Sequence, residues 1–416
     1  MNTNLDEIKI YAKKAKIAMN LLDSDTKNAA LAIVADNLIK DCDSILKANA
    51  LDVEAAHKAN MHPGMIDRLS LDEKRIGAIA EGVRQVRDLE DPTGKIISTF
   101  THANGMTIEK ISVPFGIIGM IYESRPNVTV DAFALAFKSG NVAILKGGSD
   151  IINSNIAIVA SIRKSLSEAG IDENAVILIA DTDRAVTNEL MKRKDFVDLL
   201  IPRGGAGLIK NVVENSLVPV IETGTGNCHI YVDEDFDLDK ALDIIYNAKT
   251  QRIGVCNSAE SLVVHSKAAK KLLPAMESRL SEKNVELRAD NQAVRYLDKK
   301  IIATEEDFYR EYLDYILSIK TVDSLEEAIA HINEHSTGHS ECIISNNEDN
   351  INAFLKEIDS ACVYANVSTR FSDGFEFGFG AEIGISTQKM HSRGPMGLNE
   401  LTTYKYNIRG NGQVRP

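Results

Sequence analysis

The spacing of hydrophobic residues divides the 416-residue chain into two parts with different predicted structure. In residues 1–90 the apolar positions follow a helical period, as Ile10, Ile17 and Leu21 do, and they predict helices. From residue 111 onward, short and nearly continuous apolar runs alternate with helical stretches. These runs are ISVPFGIIGMIYE, NVAILKGG, AVILIAD, VDLLIPRGG and VPVIETG. Such alternation predicts a parallel sheet covered on both faces, with ligands at the carboxyl ends of its strands.

A second α/β series starts at CHIYVDED and ends at SACVYANVS, so the pattern predicts an α/β fold with more than one domain. Asn104-Gly105 is a strong turn signal and predicts a projecting hairpin. The expected parts are a doubly wound cofactor-binding domain (1–100 and 117–227), an α/β catalytic domain (228–395), and a small β element for oligomerisation (101–116 and 396–416). An ordinary edge hairpin is the alternative for the last of these.

The strongest candidate for chemistry is a single thiol in the second series. Cys256 lies in QRIGVCNSAESLVVH between Gly254 and Asn257, a turn-like setting that suits an exposed sulfur. Thiols are the best nucleophiles among side chains near neutral pH, so a covalent cysteine intermediate is predicted. A carboxylate, Glu222, lies upstream in VPVIETG. The alternative is that Cys256 simply packs in the core, as free cysteines commonly do.

Two glycine-rich strand ends are candidates for cofactor binding. They carry Lys146, Gly147, Gly148 and Ser149 in NVAILKGGSD, and Arg203, Gly204 and Gly205 in IPRGGAGLI. Glycines at such turns let backbone N–H groups approach a phosphate at the N-terminus of a helix. The GxGxxG fingerprint of dinucleotide sites is absent. The alternatives are a plain tight turn and a lysine that extends to solvent.

Two polar segments are candidates for substrate binding. They carry Ser124, Arg125 and Asn127 in YESRPNVT, and Arg370, His391 and Arg393 in the late glycine-rich segments. Arginine and histidine side chains there offer positive charge to a carboxylate or a phosphate. The alternatives are ordinary turn chemistry for the first segment and a solvated loop with incidental charges for the second.

Composition narrows the function classes. The net charge is −13 and no Lys/Arg tract is present, which argues against nucleic acid as a partner. The five cysteines are widely spaced without a CxxC pair, so we expect no metal site and a reducing compartment. No apolar run reaches the ~20 residues that a membrane span needs. The prediction is a cytoplasmic protein without a membrane partner.

Taken together, these segments resemble the aldehyde dehydrogenase superfamily, and within it the branch of γ-glutamyl phosphate reductases. The resemblance rests on VPFGIIGMIYESRPNVTVDAFALAFKSGNVAILKGGSD, IPRGGAGLI, GNCHIYVD, NAKTQRIGVCNSAESLVVH, ACVYANVSTRFSDGFEFGFGAEIGISTQKMHSRGPMGL and LTTYKY. They extend over residues 111–406 in the order that the family requires.

The resemblance assigns roles to individual residues. Cys256 falls on the catalytic cysteine, Lys146 on the lysine near the adenosine ribose, and IPRGGAGL on the loop that supports the cofactor diphosphate. Glu222 falls on the glutamate that activates water in hydrolytic relatives, and it is expected among the cofactor-binding residues. The carboxamide that stabilises the oxyanion belongs to the loop ESRPN, where alignment places Ser124 and puts Asn127 three residues on. The backbone N–H of Cys256 is the other candidate.

The resemblance also implies a cofactor and a reaction. Ser149 stands where NAD-preferring relatives have a carboxylate, and the loss of that charge favours NADP(H). The implied reaction is reduction of L-glutamyl 5-phosphate by NADPH to L-glutamate 5-semialdehyde and phosphate through a Cys256 thioester, in proline biosynthesis. Ser124, Arg125, Arg370, His391 and Arg393 are the expected substrate ligands.

Partners follow from the same resemblance. A homo-oligomer, dimer or tetramer, and a channelling contact with glutamate 5-kinase are expected. The alternatives are another acylating aldehyde dehydrogenase that uses CoA or phosphate with a different aldehyde, and a non-catalytic protein with the same fold.

Overall fold

The structure is a computed structural model that describes residues 4–415, and the chain folds as two compact units. The first unit contains the residues up to Glu222, residues 378–384 and the residues from Met396 on. The second contains Thr223–Phe377 and Ile385–Pro395. Residues 378–384, which the sequence prediction places in the catalytic domain, pack in the first unit, where Gly380 lies against the side chain of Leu89.

Five helices open the first unit, as the helical period of the apolar residues predicts. They are α1 (Leu5–Met19), α2 (Ser24–Lys40), α3 (Cys42–Lys58), α4 (Pro63–Leu69) and α5 (Glu73–Asp88). The side chains of Asn4, Asp23 and Asp72 accept hydrogen bonds from first-turn N–H groups and begin three of these helices. The apolar stripe of α2, with Leu31, Val34 and Leu38, is fully buried.

A four-stranded parallel sheet forms the centre of the first unit. Its strands are β3 (Ile117–Tyr122), β4 (Val142–Gly147), β5 (Val176–Leu178) and β6 (Leu199–Arg203), in the order β5-β4-β3-β6. They alternate with α6 (Pro126–Lys138), α7 (Ile152–Glu168), α8 (Arg184–Leu190) and α9 (Ala206–Asn215). The strand order reverses between β3 and β6, and ligands of such sheets bind at the carboxyl ends beside this switch point.

An antiparallel sheet of three strands completes the first unit. It contains β1 (Ile96–Thr101), β2 (Thr107–Pro114) and β15 (Thr402–Arg409). The first two strands form a hairpin around Asn104 and Gly105, whose φ of 87° suits glycine. β15 pairs with β2 along its whole length. Large apolar side chains of this sheet, including Ile96, Phe100 and Ile408, are exposed.

The second unit is built on a six-stranded parallel sheet. Its strands are β7 (Cys228–Val232), β8 (Ala259–His265), β9 (Glu286–Ala289), β10 (Ile316–Val322), β11 (Ser340–Ile344) and β12 (Cys362–Ala365), in the order β12-β11-β7-β8-β10-β9. Its helices are α10 (Leu238–Thr250), α11 (Ser266–Ser281), α12 (Glu305–Phe308), α13 (Leu325–His335) and α14 (Glu348–Glu357). Two separate apolar cores lie against this sheet.

A two-stranded pair, β13 (Gly384–Ser386) and β14 (Gly394–Met396), lies late in the chain. The parallel sheets with their alternating helices confirm the predicted α/β class. Within residues 4–415, no helix combines the length and the apolar character that crossing a membrane requires.

Candidate active site

The Cys256 thiol lies in a β-turn that connects α10 to β8. The Ser258 N–H donates to the Val255 carbonyl at 3.2 Å, so Cys256 and Asn257 are the two central residues of the turn. The Asn257 side-chain amide donates to the Ser372 carbonyl at 2.8 Å, and the Asn257 backbone carbonyl accepts from the Thr369 hydroxyl at 2.8 Å. Asn257 is buried, whereas Cys256 is partly exposed. The turn is therefore fixed on its inner side and leaves the thiol partly accessible.

Arg370 is the predicted substrate ligand that the structure brings close to Cys256. Its guanidinium donates to the Gln251 side chain at 2.8 Å. Burial lowers the pKa of Arg370, the charge of Arg252 lowers it further, and a negative charge on Cys256 acts in the opposite direction. Arg370 therefore brings a positive charge into the surroundings of Cys256.

His391 and Arg393 lie in an exposed loop and are held by local contacts. The Arg393 guanidinium donates to the Asp359 carboxylate at 3.0 Å and to its carbonyl at 3.1 Å. Lys389 binds the same carboxylate. Lys389 first and Arg393 second hold the pKa of Asp359 below its usual value. The His391 carbonyl accepts from the Gln388 side chain at 3.2 Å.

A cleft of about 680 Å³ lies in the first unit at the carboxyl ends of β3 and β4. Five of the predicted site residues line it, namely Ser124, Lys146, Gly147, Gly148 and Ser149. Arg203, Gly204, Gly205 and Glu222 belong to neighbouring strand ends of the same unit. A pocket of this size at a topological switch point is suited to part of a dinucleotide.

Lys146 and its two glycines form one wall of the cleft. The Lys146 ammonium is buried and donates to the Gly147 carbonyl at 3.1 Å. Burial lowers its pKa, and the charge of Asp181 acts in the opposite direction. A Cβ atom on Gly147 would lie 2.1 Å from the Asn155 amide, and one on Gly148 would lie 2.2 Å from an Asp150 oxygen. Close packing of these side chains therefore explains both glycines.

The loop of Gly204 and Gly205 packs against a carboxylate. The Gly205 N–H donates to the Glu123 side chain at 3.2 Å. A Cβ atom on Gly204 would lie 2.5 Å from the same carboxylate oxygen. Glu123 therefore accepts a hydrogen bond at the start of α9, where the resemblance places the cofactor diphosphate.

The polar residues after β3 are bonded within their own unit. The Ser124 hydroxyl donates to the Asp150 carboxylate, and Ser124 has a positive φ of 48°. The Asn127 amide donates to Asp131 at 2.9 Å, one turn further along α6. Burial raises the pKa of Asp131 to about 6, while Asn127 and Arg203 oppose the shift.

Arg125 and Glu222 mark the ends of two further segments of the first unit. Arg125 is the partly buried N-cap residue of α6. Glu222 is also partly buried, and it follows a segment that bridges to β6 through Val220 and Leu200. Both residues therefore belong to carboxyl-end connections of the parallel sheet.

Sequence reasoning missed Arg184, Thr182 and Asn188, which also line the cleft. Arg184 is the first residue of α8 and is exposed. It makes no ion pair with any residue in the described range 4–415. The sequence does place Arg184 just after the strand AVILIAD. That position could have predicted a residue of the cleft, because the carboxyl ends of parallel strands lie at one edge of the sheet.

A sequence model described as the aldehyde dehydrogenase family matches residues 3–294 and 308–406. The chain belongs to the aldehyde dehydrogenase family. Membership makes it an oxidoreductase that acts on a small molecule with a nicotinamide cofactor.

The relatives with high identity share one name. The chain is 58% identical over 412 residues to a γ-glutamyl phosphate reductase of Lachnospira eligens, with 99% of each chain covered. It is 55% identical over 412 residues to the protein of that name from Caldanaerobacter subterraneus, and the match covers 98% of this chain and 100% of the relative.

Solved structures agree with this grouping. The γ-glutamyl phosphate reductase of Thermotoga maritima superposes with a TM-score of 0.98 at 47% identity, and both chains are covered completely. An acetylating aldehyde dehydrogenase from Geobacillus thermoglucosidasius has a TM-score of 0.70 at 18% identity, with 99% of this chain and 98% of that chain covered, and shows the common fold.

Proposed function

We propose that this enzyme reduces L-glutamyl 5-phosphate with NADPH to L-glutamate 5-semialdehyde and phosphate, the second step of proline biosynthesis from glutamate. The observation that carries the proposal is 58% identity over 99% of the chain to a γ-glutamyl phosphate reductase. A partly exposed thiol at the predicted nucleophile position supports it.

The Cys256 thiolate starts the reaction by attack on the γ-carbonyl of the acyl phosphate. The new C–S bond forms as the C–O bond to phosphate breaks, and phosphate leaves with the bonding electrons. When bound, NADPH supplies hydride to the thioester. The thiohemiacetal that results collapses and returns the electron pair to sulfur, which frees the aldehyde. Arg370 supports both thiolate stages by its positive charge.

NADPH is proposed over NADH because of the charges that line the cleft. Ser149 adds no negative charge there, and Lys146 and Arg184 supply two cations. The two lining carboxylates already have partners, because Glu123 accepts from the Gly205 N–H and Asp150 accepts from Ser124. Close positive charge therefore favours a cofactor that carries an additional phosphate.

The substrate brings an α-carboxylate and a phosphate to a protein with a net charge of −13. Local cations must hold these groups, since distant surface charges are screened by salt. We assign the α-carboxylate to Arg125 or Arg370 and the phosphate to His391 and Arg393. Ser124 and Asn127 complete the substrate side, with Asn127 and the Cys256 N–H as candidates for the oxyanion donor.

We also propose that the three-stranded sheet mediates a homo-oligomer, a dimer or a tetramer. Ile96, Phe100, Tyr406 and Ile408 are exposed by 58%, 59%, 57% and 60% on it. A patch of this kind is typical of a protein–protein interface.

One assay tests the function directly. NADP⁺ reduction is followed with glutamate semialdehyde plus phosphate, and again without phosphate. Turnover that requires phosphate, and that is lost in Cys256→Ala while NADPH still binds, is the expected result. Cys42→Ala is the control, because Cys42 is a partly exposed thiol in the first unit. Turnover with CoA in place of phosphate, or substantial activity in Cys256→Ala, contradicts the proposal.

A further inference from the structure

A second cysteine contacts the turn that carries the nucleophile. Cys228, the first residue of β7, is fully buried, and its thiol donates to the Cys256 carbonyl at 3.1 Å. Burial raises the pKa of Cys228 well above its usual value, followed by the charges of Glu341 and Cys256. The raised pKa favours the protonated S–H form of Cys228, which is the form that can donate a hydrogen bond.

The carbonyl that Cys228 binds belongs to the central peptide of the β-turn. The turn's own hydrogen bond uses the Val255 carbonyl and the Ser258 N–H, so the Cys256 carbonyl takes no part in it. A donor from another element that binds this carbonyl favours the orientation in which the carbonyl faces it, because reversal of the peptide would break that hydrogen bond. The S–H group of Cys228 supplies that donor.

The sequence at this turn permits a second orientation. A type II turn has the central peptide reversed and needs a positive φ at its third residue, where glycine or asparagine is tolerated. Asn257 occupies this position, and it does not have the positive φ that Asn60, Asn284 and Asn366 show. The observed turn is therefore one of two that these residues allow. The hydrogen bond from Cys228 favours the observed orientation of the central peptide.

Further contacts hold Cys228 in place. The His339 ring nitrogen Nδ1 lies 3.8 Å from the Cys228 sulfur and 2.8 Å from the Ser340 hydroxyl. The Ser372 hydroxyl joins Ser340 to the Tyr364 hydroxyl, at 2.5 Å and 2.7 Å. This chain of hydrogen bonds, whose last member Tyr364 is partly exposed, holds the His339 ring beside the Cys228 sulfur.

We propose that Cys228 is a positioning residue for the nucleophile: its thiol selects the orientation of the Cys256–Asn257 peptide and so holds Cys256 in its reactive geometry. The inference rests on the proposed role of Cys256 as the nucleophile. It predicts that loss of the donor slows the chemical step and leaves cofactor binding intact, because a small displacement of a reacting group lowers rates strongly.

The test compares Cys228→Ala, which removes the donor, with Cys228→Ser, which keeps an O–H donor. Cys342→Ala is the matched control, because Cys342 is a fully buried thiol on β11 that donates to the Val367 carbonyl at 3.0 Å, away from the turn. The readouts are the rate of Cys256 alkylation by iodoacetamide, measured by peptide mass spectrometry across pH 6–9, together with kcat, KM and thermal unfolding.

We expect Cys228→Ala to lower the alkylation rate and kcat by about five- to tenfold, the value of one hydrogen bond, with KM for NADP⁺ unchanged. Cys228→Ser should retain most of both rates, and Cys342→Ala should lose stability without losing either rate. Equal losses in Cys228→Ala and Cys228→Ser, or native rates in Cys228→Ala, would overturn the inference. Alkylation needs no substrate, so a protein without reductase activity that still shows this alkylation pattern would reject the proposed function alone.

Discussion

Gly226 and Cys256 are in direct backbone contact. A Cβ atom on Gly226 would lie 1.4 Å from the Cys256 carbonyl oxygen and 2.8 Å from its Cα atom. The Gly226 N–H donates to the Glu311 carboxylate at 2.7 Å, which fixes the glycine from the other side. Neither backbone can move aside cheaply, so this position admits no side chain.

Gly226→Ala should therefore displace the β-turn that carries Cys256, the proposed nucleophile. We expect kcat to fall by at least about 10²-fold, because misplacement of reacting groups lowers rates strongly. Gly82→Ala is the control, because a Cβ atom there meets nothing within 4 Å in α5. It should preserve activity and stabilise the helix by about 0.5–1 kcal/mol. Steady-state kinetics and thermal unfolding measure both effects, and near-native kcat in Gly226→Ala would contradict the contact.

Arg393 and Lys389 both bind the Asp359 carboxylate, so variants of Arg393 and Asp359 should change KM for phosphate in opposite directions. Arg393→Ala should raise KM for phosphate in the semialdehyde oxidation assay by roughly ten- to a hundredfold, since a charge-assisted contact is lost. Asp359→Asn should lower KM for phosphate, because it releases Arg393 and Lys389 from their common anion. KM for NADP⁺ should not change in either variant. An unchanged phosphate KM in both Arg393→Ala and His391→Ala would remove this loop from the site.

Cofactor choice should depend on the charges of the cleft. Ser149→Glu and Arg184→Met should each weaken NADPH binding more than NADH binding, because only NADPH carries the additional phosphate. Lys164→Met, at an exposed position of α7, is the control for loss of surface charge. Fluorescence titration of both reduced cofactors gives the ratio of dissociation constants. Equal weakening of the two cofactors would place the additional phosphate elsewhere.

Glu222→Gln should keep reductase activity within about tenfold of the native enzyme, since the proposed reaction has no water-activated deacylation. An essential general base typically contributes ~10²–10⁴-fold. The measurement is kcat for phosphate-dependent NADP⁺ reduction, together with release of glutamate from the thioester. A loss in the larger range would assign Glu222 to the chemistry.

Asp131 should make stability depend on pH. Its folded pKa of about 6 lies above the value of about 3.9 for an unfolded aspartate, so ionisation opposes folding as pH rises from 4 to 6. Asp131→Asn should therefore be more stable than the native enzyme by about 1–3 kcal/mol at pH 8, and the difference should vanish below pH 4. Denaturant unfolding at pH 4, 6 and 8 measures it, with exposed Asp25→Asn as the control. A constant difference across this range would contradict the raised pKa.

The sequence by itself determined the class of the fold and singled out the residue that we propose as the nucleophile. The continuous apolar runs that became β3 and β4 are buried at every residue, because strands covered on both faces have no polar side. Lys146 and Ser149 were correctly placed at one strand end, and the structure shows that a cleft lies there. Cys256 is distinguished by the general nucleophilicity of thiols and by its turn-like neighbours, both of which are local properties.

Only the tertiary structure decided which side chains meet. Asp359 binds Arg393, Glu123 binds the Gly205 N–H, and Cys228 binds the Cys256 carbonyl, and no spacing in the sequence connects these partners. The spacing of hydrophobic residues indicates which face of a helix or strand is buried. This signal comes only from residues that are close together in the sequence. The polar contacts depend on the register of β7 against β8 and on the path of distant loops, which are set when the whole sheet assembles.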